Sequence, residues 1–362
     1  MVRVGILTSG GDCQALNATM RGLAKTLYQQ KKDIEIIGFL DGYKGLMYEN
    51  YRIMKPEDFE DILNLGGTIL GTSRCPFKKM CVIENGFDKV AAMKKTYQKL
   101  KLDCLAVLGG NGSLKTANLL SQEGLNVIGL PKTIDNDTWG TDYTFGFQSA
   151  IDIATRYLDE IQTTAASHSR VFVVEIMGHK VGHICLSAGI AAGADIILLP
   201  EIPYDIEVVA GEIEKKVKAG KKHIVIACAE GAISKEESLL SKKHYKLKVA
   251  TREGHSVVYE IANKLSHYID KEIRVSCAGH AQRGGQPCAY DREISTLFGI
   301  EGAKLIMNKD FGKLVVFVNH RLDAIPLEET AGKLKYVDVQ GDTVKNAKLM
   351  GISFGDEMTL SK

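Results

Sequence analysis

The sequence predicts an α/β fold made of two doubly wound, mostly parallel sheet domains with helices on both faces of each sheet. Short apolar runs alternate with amphipathic stretches along the chain, which is typical of layered strand–helix–strand units. The runs are apolar at successive positions, as expected for strands that helices cover on both faces. Glycine or small polar residues follow many of the runs, where such sheets bind their ligands.

The apolar runs and the stretches between them define the expected elements. Strands are expected at residues 2–8, 34–40, 103–108, 126–130, 170–176, 196–199, 223–229, 273–277 and 314–318. Helices are expected at residues 15–29, from about 114, and at 149–166, 181–192, 205–219, 256–269 and 291–307. The charged stretch 235–248 is interpreted as a surface excursion. A domain break is expected near residue 138, although no Pro- or Ser-rich linker marks it.

Composition and charge argue against several kinds of partner. The 362 residues carry a net charge of +2, which gives no reason to expect binding to nucleic acid or to a membrane surface. No run approaches the ~20 apolar residues that span a bilayer. None of the eight Cys lies in a Cys-x-x-Cys pair, and no signal peptide precedes the first strand. Scattered, reduced thiols of this kind predict a cytoplasmic protein.

Two glycine-rich turns follow predicted strands. Gly10-Gly11-Asp12 comes after the first strand, and the run from Gly109 to Ser113 comes after the third. Glycine lets a backbone approach a phosphate, and the helix that follows presents free amide groups. A tight turn, or an N-cap at Ser113, would explain the same residues. Neither turn has the G-x-G-x-x-G pattern or the Lys-Ser/Thr pair of the Walker loop, so a dinucleotide-binding dehydrogenase is not supported.

The segment from Lys132 to Asp137 is the most informative one. It follows an apolar strand directly and places carboxylates at Asp135 and Asp137 on either side of an amide. Phosphoryl transfer needs a group that accepts the hydroxyl proton and cations that offset the phosphate charge. Asp135 suits the first role and Lys132 the second, while Asp137 suits indirect binding of magnesium. The alternative is an acidic turn, since Asp is common in turns.

Several arginines lie near predicted strand ends or loops. Any one arginine is more often a solvated surface charge than a ligand contact, although its guanidinium is well suited to bidentate phosphate binding. These residues are Arg74, Arg170, Arg274, Arg283 and Arg292. Arg283 stands out because His280 and two glycines lie next to it in the sequence.

Six ordered motifs resemble those of the phosphofructokinase A family, over residues 2 to about 310. They are Thr8-Ser-Gly-Gly-Asp12, Gly66-Gly-Thr-Ile-Leu-Gly-Thr-Ser-Arg74, Gly109-Gly-Asn-Gly-Ser113, Thr133-Ile-Asp-Asn-Asp137, Val174-Glu-Ile-Met-Gly178 and Gly279-His-Ala-Gln-Arg-Gly-Gly285. The resemblance implies the phosphofructokinase fold and the transfer of a phosphoryl group to the 1-hydroxyl of fructose 6-phosphate. It also implies a donor-binding domain of residues 1–138 with about 256–310, and a substrate-binding domain of residues 139–255 with the C-terminal segment.

The resemblance also implies a role for each matched residue. The expected donor nucleotide site consists of Gly11, Arg74, Cys75, Gly110, Asn111, Gly112 and Ser113, with Asn111 as the magnesium contact. Asp135 is expected to be the base, with Thr133, Lys132 and Arg170 as further catalytic residues. The expected fructose 6-phosphate site consists of Thr133, Asp135, Arg170, Met177, Gly178, His179, Glu230, Arg274, His280 and Arg283.

Arg170 and Arg274 match arginines that, in the family, reach the substrate of a neighbouring subunit. The resemblance therefore implies a homodimer or homotetramer with shared active sites.

Departures from the family pattern leave two alternatives open. Asn111 replaces the usual acidic residue, and His179 stands where many members carry Arg. An amide oxygen carries no net charge, so metal binding at Asn111 is expected to be weaker than at a carboxylate. These two residues motivate a second hypothesis, a catalytically weak paralogue that binds sugar phosphate or nucleotide.

The phosphoryl donor is the other open question, because two markers disagree. Gly112 leaves the space of the nucleotide α-phosphate open, which favours ATP, whereas Lys132 is typical of family members that use pyrophosphate. ATP is the preferred expectation because a lysine can serve either donor. A pyrophosphate-dependent or dual-donor enzyme remains the alternative.

Overall fold

The computed structural model describes residues 1–252, 254 and 256–359, and it confirms the predicted fold class. Two sheets, mostly parallel, carry helices packed on them. The strands are β1 Val2–Ser9, β2 Ile34–Phe39, β3 Tyr51–Met54, β4 Cys104–Gly109, β5 Val127–Pro131, β6 Val171–Ile176, β7 Ile196–Leu198, β8 Ile224–Ala229, β9 Ile273–Cys277, β10 Lys313–Val318 and β11 Arg321–Pro326.

The helices alternate with these strands. They are α1 Leu16–Gln30, α2 Tyr43–Tyr48, α3 Lys89–Lys99, α4 Asn111–Gln122, α5 Phe147–His168, α6 His183–Ala191, α7 Ile206–Lys218, α8 Lys235–Ser238, α9 Lys242–Ala250, α10 Val257–Leu265, α11 Ala289–Met307, α12 Leu327–Thr330 and α13 Asp342–Leu349. Short 3-10 turns include Gly279–Arg283. Within the described residues, no helix is both long and apolar enough to cross a membrane.

The first compact unit comprises Met1–Ser149 and Arg283–Lys335. Its sheet has the order β11-β10-β5-β4-β1-β2-β3, with five parallel strands and an antiparallel strand at each edge. The central strand β4 and its neighbour β5 are buried at every position, as the continuous apolar runs predict. The chain moves from β1 to β2 on one side and later to β4 on the other, so the strand order reverses between β1 and β4.

The second compact unit comprises Ala150–Gln282 and the segment from Tyr336 onward. Its four strands are all parallel, in the order β7-β8-β6-β9. The strand order reverses next to β6, because β8 lies on one side of it and β9 on the other. The helices α7 and α10 pack on this sheet through a core that includes Val209, Ile213 and Ile261.

The unit boundaries differ from those expected from the sequence. The first boundary falls within α5 rather than near residue 138, and residues 256–282 lie in the second unit rather than with the donor-binding part. The physical reason is that α10 packs against β6 and β9, and β9 pairs with β6. The stretch 235–248, interpreted as a surface excursion, contains α8 and most of α9.

Close helix packing generates a prediction for Gly299→Ala. A Cβ at residue 299 of α11 would lie 2.3 Å from the backbone oxygen of Thr19 in α1. Backbone cannot yield as a flexible side chain does, so the clash should outweigh the ~1 kcal/mol gained from alanine's helix propensity. We expect the unfolding free energy to fall by about 1–3 kcal/mol, measured by urea denaturation.

Gly302→Ala in the same helix is the matched control. Its added Cβ would meet only side-chain ends, at 3.3 Å or more, so its unfolding free energy should change far less. Equal effects of the two substitutions would contradict the packing argument.

Candidate active site

The reversal of strand order in the first unit brings three loops to one edge of the sheet. Ser9 at the end of β1 is paired with Gly109 at the end of β4, and Gly109 is paired with Pro131 at the end of β5. Parallel strands end at the same edge, so the turn at Gly10, the loop after Gly109 and the segment from Lys132 all begin there. Ligands of doubly wound sheets bind at such reversals.

Two of these loops are held together by short contacts that need small residues. The Ser113 hydroxyl donates to Ser9 Oγ at 3.0 Å, and a Cβ at Gly109 would lie 2.3 Å from the Ser113 Cβ. Gly10 has a φ of +93°, a backbone conformation that favours glycine. The hydroxyl of buried Tyr43 donates to the Ser113 carbonyl at 2.7 Å. Tyr43 supports the loop from a helix that the sequence patterns did not reveal.

Lys132 is a buried cation between the loops. Its residue is 3% exposed, and its ammonium group donates a short hydrogen bond to the carbonyl oxygen of Gly11. Burial is the main cause that lowers the pKa of Lys132, and the Arg283 guanidinium lowers it further. The carboxylates of Asp135 and Asp12 act in the opposite direction. A phosphate beside Lys132 would stabilise its charged form in the same way.

Arg283 shares this region. Its guanidinium donates to the backbone oxygen of Asp12 at 3.1 Å, while its buried Nε has no hydrogen-bond partner among the described residues. A Cβ at Gly11 would lie 2.9 Å from a terminal nitrogen of Arg283. Glycine at this position therefore lets the backbone, the guanidinium and the Lys132 ammonium group lie close together.

The segment after β5 is fixed by its own side chains. The backbone N–H of Asp135 donates to Thr133 Oγ1 at 3.0 Å, and Thr144 Oγ1 donates to the Thr133 carbonyl at 2.7 Å. Asn136 has a φ of +54°, which Asn tolerates better than most residues. Its side-chain amide donates to the Asp142 carbonyl at 3.1 Å. The segment is therefore an acidic turn held by hydrogen bonds, as the alternative interpretation predicts. This structure is also compatible with Asp135 as a base.

The loop that contains Arg74 and Cys75 is tied to the Gly10 turn. Gly10 N–H donates to the Ser73 carbonyl at 3.1 Å, and Thr72 Oγ1 donates to the Gly10 carbonyl at 2.8 Å. Arg74 is exposed beside this turn, while Cys75 is half-buried. The sequence predicts both residues for the donor site, and these bonds bring their loop to the Gly10 turn.

Asn111 is the first residue of α4 and is held by a residue far along the chain. Its side-chain Nδ2 donates to the backbone oxygen of Lys333 at 2.6 Å. Gly112 is exposed, and a Cβ added there would meet nothing within 4 Å. The loop therefore has open space at residue 112. The expectation that ATP is the donor depends on such space for the nucleotide α-phosphate.

The residues present fit magnesium that arrives with the donor. In the described part of the chain, no three or more His, Cys, Asp or Glu side chains form a group that could hold a metal ion. The Asn111 amide supplies one oxygen, and magnesium commonly keeps waters and substrate phosphates as its other ligands. Asp137, the second expected contact, is 8% exposed and lies near the Lys335 ammonium group, whose pKa it raises.

In the second unit, the Glu230 carboxylate holds the turn that follows β6. Glu230 follows β8 and accepts hydrogen bonds from the backbone N–H groups of Gly178, at 3.3 Å, and of His179, at 2.5 Å. His179 has a φ of +53°. A Cβ at Gly231 would lie 2.2 Å from the His179 carbonyl oxygen, so a glycine is needed there. The Met177 N–H donates to Gln282 Oε1 at 3.1 Å.

Gln282 is a site residue that sequence reasoning missed. It is fully buried and also donates to the Gly279 carbonyl at 3.2 Å, so it ties the turn that carries His280 to the turn after β6. His280 itself is exposed. Its position in the Gly279–Arg283 motif was the only sequence signal for Gln282.

Arg170 and Arg274 share a carboxylate in the second unit. Both guanidinium groups form short ion pairs with Glu272, and these contacts lower the pKa of Glu272. The Arg170 side chain is 24% exposed and that of Arg274 is 50% exposed. Within one chain, the two arginines therefore lie close to the same carboxylate, and their role at a neighbouring subunit's substrate stays a prediction.

The predicted residues thus separate between the two units. The first unit contains Gly11, Arg74, Cys75, Gly110, Asn111, Gly112, Ser113, Lys132, Thr133, Asp135, Asp137 and Arg283. The second unit contains Arg170, Met177, Gly178, His179, Glu230, Arg274 and His280. The structure also shows the supporting residues Ser9, Tyr43, Gln282, Lys333 and Lys335, which were not among the predicted site residues.

Comparison with known proteins points to one family. The sequence model of the Phosphofructokinase family matches residues 3–306. A protein of Spirochaeta thermophila named ATP-dependent 6-phosphofructokinase is 49% identical over 356 residues, which cover 97% of both chains. The ATP-dependent 6-phosphofructokinase 3 of Bacteroides thetaiotaomicron is 42% identical over 356 residues, covering 98% of this chain and 100% of the other.

A solved structure shares the fold. The pyrophosphate-dependent phosphofructokinase of Marinobacter aquaeolei superposes on this chain with a TM-score of 0.78. The match covers 98% of this chain and 88% of that protein. The two sequences are only 21% identical, so this similarity concerns the fold alone.

The surroundings of Lys335 generate a pH prediction. Its ammonium group donates to the carbonyls of Thr141 and Asp142, at 2.7 Å each, and burial lowers the pKa of Lys335 to about 8. Between pH 8 and the ordinary 10.5, the unfolded state binds the proton that the folded state has lost. Stability relative to Lys335→Met should therefore rise with pH across this window.

Lysine ¹³Cε NMR titration checks the midpoint directly. Lys335→Arg assigns the signal, because it removes one lysine resonance and keeps a cation at residue 335. A midpoint above about pH 10, the range of an ordinary lysine, would contradict the prediction.

Proposed function

The chain belongs to the phosphofructokinase family, and we propose that it transfers the γ-phosphoryl group of ATP to the 1-hydroxyl of fructose 6-phosphate. The family resemblance predicted from six motifs is confirmed by the match over residues 3–306 and by a full-length relative at 49% identity. The observation that carries the proposed chemistry is the buried Lys132 ammonium group at Gly11, with Asp135 on the same segment.

Asp135 is the proposed base. The oxygen of the sugar 1-hydroxyl forms a bond to the γ-phosphorus, the bond from that phosphorus to the β–γ bridging oxygen breaks, and the hydroxyl proton passes to the Asp135 carboxylate. ADP and fructose 1,6-bisphosphate are the products. The bond from its own N–H to Thr133 fixes the backbone of Asp135, so the carboxylate needs little reorganisation to reach its working geometry.

Lys132 and Arg283 are the proposed cations for the transferring phosphoryl group. Phosphoryl transfer depends mainly on positioning and on offsetting negative charge. Both cations are already fixed to backbone carbonyls, those of Gly11 and Asp12. The unpaired, buried Nε of Arg283 leaves a donor for a phosphate oxygen.

Magnesium would be held at Asn111, together with donor phosphates and water. When bound, the ion offsets phosphate charge. The amide oxygen of Asn111 is the group of this chain that would orient it, and Asp137 would act through water.

The residues of the second unit are proposed to bind the sugar phosphate. Glu230 already accepts two backbone hydrogen bonds and has remaining lone pairs for a sugar hydroxyl. Met177, Gly178, His179 and His280 line the two turns that Gln282 joins. Arg170 and Arg274 supply cations for a phosphate, and their action across a subunit interface in a homodimer or homotetramer stays a prediction.

ATP is the better supported donor. The open space at Gly112 and the two full-length relatives named as ATP-dependent enzymes favour it. Pyrophosphate is the alternative, which Lys132 motivates. A coupled assay with fructose 6-phosphate, magnesium and either donor separates these activities, and the absence of product with both would leave the weak-paralogue hypothesis. A cytoplasmic location also stays a prediction.

Asp135→Asn tests the proposed base. The amide has the size of the carboxylate but cannot take the proton, so we expect kcat to fall by about a hundredfold or more with a smaller change in the KM for ATP. Asp61→Asn, an exposed aspartate of the same unit, is the control and should leave kcat unchanged. Full turnover of Asp135→Asn would remove the base assignment.

Gly112→Asp tests the choice of donor. The new side chain has room, but its negative charge should repel the nucleotide α-phosphate and lower kcat/KM for ATP by more than the tenfold that ~1.4 kcal/mol represents. Gly112→Asn adds the same bulk without the charge and should lose much less. If the two variants lose ATP use equally, size rather than charge controls access.

A further inference from the structure

A short segment near the end of the first unit crosses the loops of the donor site. We call residues 332–335 the strap. Lys333 accepts the hydrogen bond from Asn111 Nδ2 at 2.6 Å through its backbone oxygen. Leu334 forms an antiparallel bridge with Thr138, and the Lys335 N–H donates to the Asp137 carbonyl at 2.9 Å. The strap therefore joins the loop after β4 to the segment after β5.

The bond to the strap decides which atom of the Asn111 amide is available. A backbone carbonyl can only accept a hydrogen bond, so the group that faces Lys333 must be the side-chain NH₂. The amide oxygen is then turned away from the strap. Only that oxygen can bind a cation or accept from its water shell. The contact thus fixes the orientation that a magnesium contact needs.

A cation–aromatic contact anchors the strap from its other side. The Lys333 ammonium group lies 4.2 Å from the centre of the Trp139 ring, well inside the ~6 Å at which such contacts are attractive. Trp139 lies two residues after Asp137 in the sequence and is 38% exposed. One residue, Lys333, therefore contacts Asn111 with its backbone and Trp139 with its side chain.

We propose that the strap is a positioning element of the donor site, in which Lys333, held on Trp139, orients the Asn111 amide oxygen toward magnesium and the donor phosphates. The proposal rests on the proposed function for the location of the donor site. It explains why an amide suits residue 111 in this chain. A carboxylate could not donate to Lys333, and it would place two oxygen acceptors against each other.

Trp139 provides a readout that needs no turnover, because it is the only tryptophan in the sequence. Titration of the protein with magnesium and a non-hydrolysable ATP analogue should change the tryptophan emission and saturate at the affinity that calorimetry gives. Lys333→Met should weaken analogue binding by about fivefold, the loss expected for one cation–aromatic contact.

Three further measurements separate positioning from general damage. Lys333→Arg keeps a cation over the ring and should bind the analogue within about twofold of wild type. Lys95→Met, at an exposed lysine of the same unit, should change nothing. The KM for fructose 6-phosphate should stay nearly constant in all three variants, whereas a partly unfolded protein would lose both substrates.

Asn111→Asp tests the orientation argument independently. If charge alone mattered, the carboxylate would bind magnesium more tightly than the amide. If the strap orients the amide, Asn111→Asp should weaken binding of the magnesium–analogue complex in spite of its charge. Tighter binding by this variant would overturn the proposal.

The outcomes also distinguish the strap from the proposed activity. Wild type that turns over ATP, but shows no emission change on saturation or no loss of binding in Lys333→Met, overturns the strap and leaves the activity intact. Wild type that neither binds the analogue nor forms product overturns the proposed ATP-dependent activity and the strap with it.

Discussion

The burial of a lysine charge is the constraint around which the first unit is built. An ammonium group is costly to bury unless hydrogen bonds or opposite charge surround it. The Gly11 carbonyl and the nearby carboxylates stabilise the charge of Lys132 only in part. The positive charge of Arg283 destabilises it. Neighbouring Cys13 gives no thiolate, since burial raises the pKa of its thiol to about 12. A phosphate dianion is the group that would satisfy both cations.

Both units place their expected ligand residues at a reversal of strand order. In each sheet the strand order reverses beside a central strand, β1 in one and β6 in the other, and the expected ligand residues follow the ends of the strands at the reversal. Glycine is required there for space rather than flexibility alone. Gly109 lies against Ser113, and Gly231 lies against the His179 carbonyl. Some glycines of these loops are therefore needed for close packing of the backbone as well as for ligand binding.

The sequence predicted most of the core because buried strands carry continuous apolar runs, and predicted the loops because their motifs are local. It missed what depends on distant partners. The edge strands β3 and β11 are partly exposed, and β3 has only 4 residues, so their pattern is weak. The bond between Asn111 and Lys333 joins residues 222 positions apart. The compact units depend on contacts such as the pairing of β9 with β6, which local periodicity does not reveal.

The two donor markers, which disagree in the sequence, act at different places in the structure. Lys132 is buried at the Gly11 carbonyl, where a cation helps any transferring phosphoryl group. Gly112 is exposed at the start of α4 with open space beside it. A side chain at this position would affect a donor with an α-phosphate, such as ATP, more than pyrophosphate. A lysine at 132 therefore does not argue against ATP. In the proposed site, discrimination between donors would fall to residue 112 and to the loop that the strap contacts.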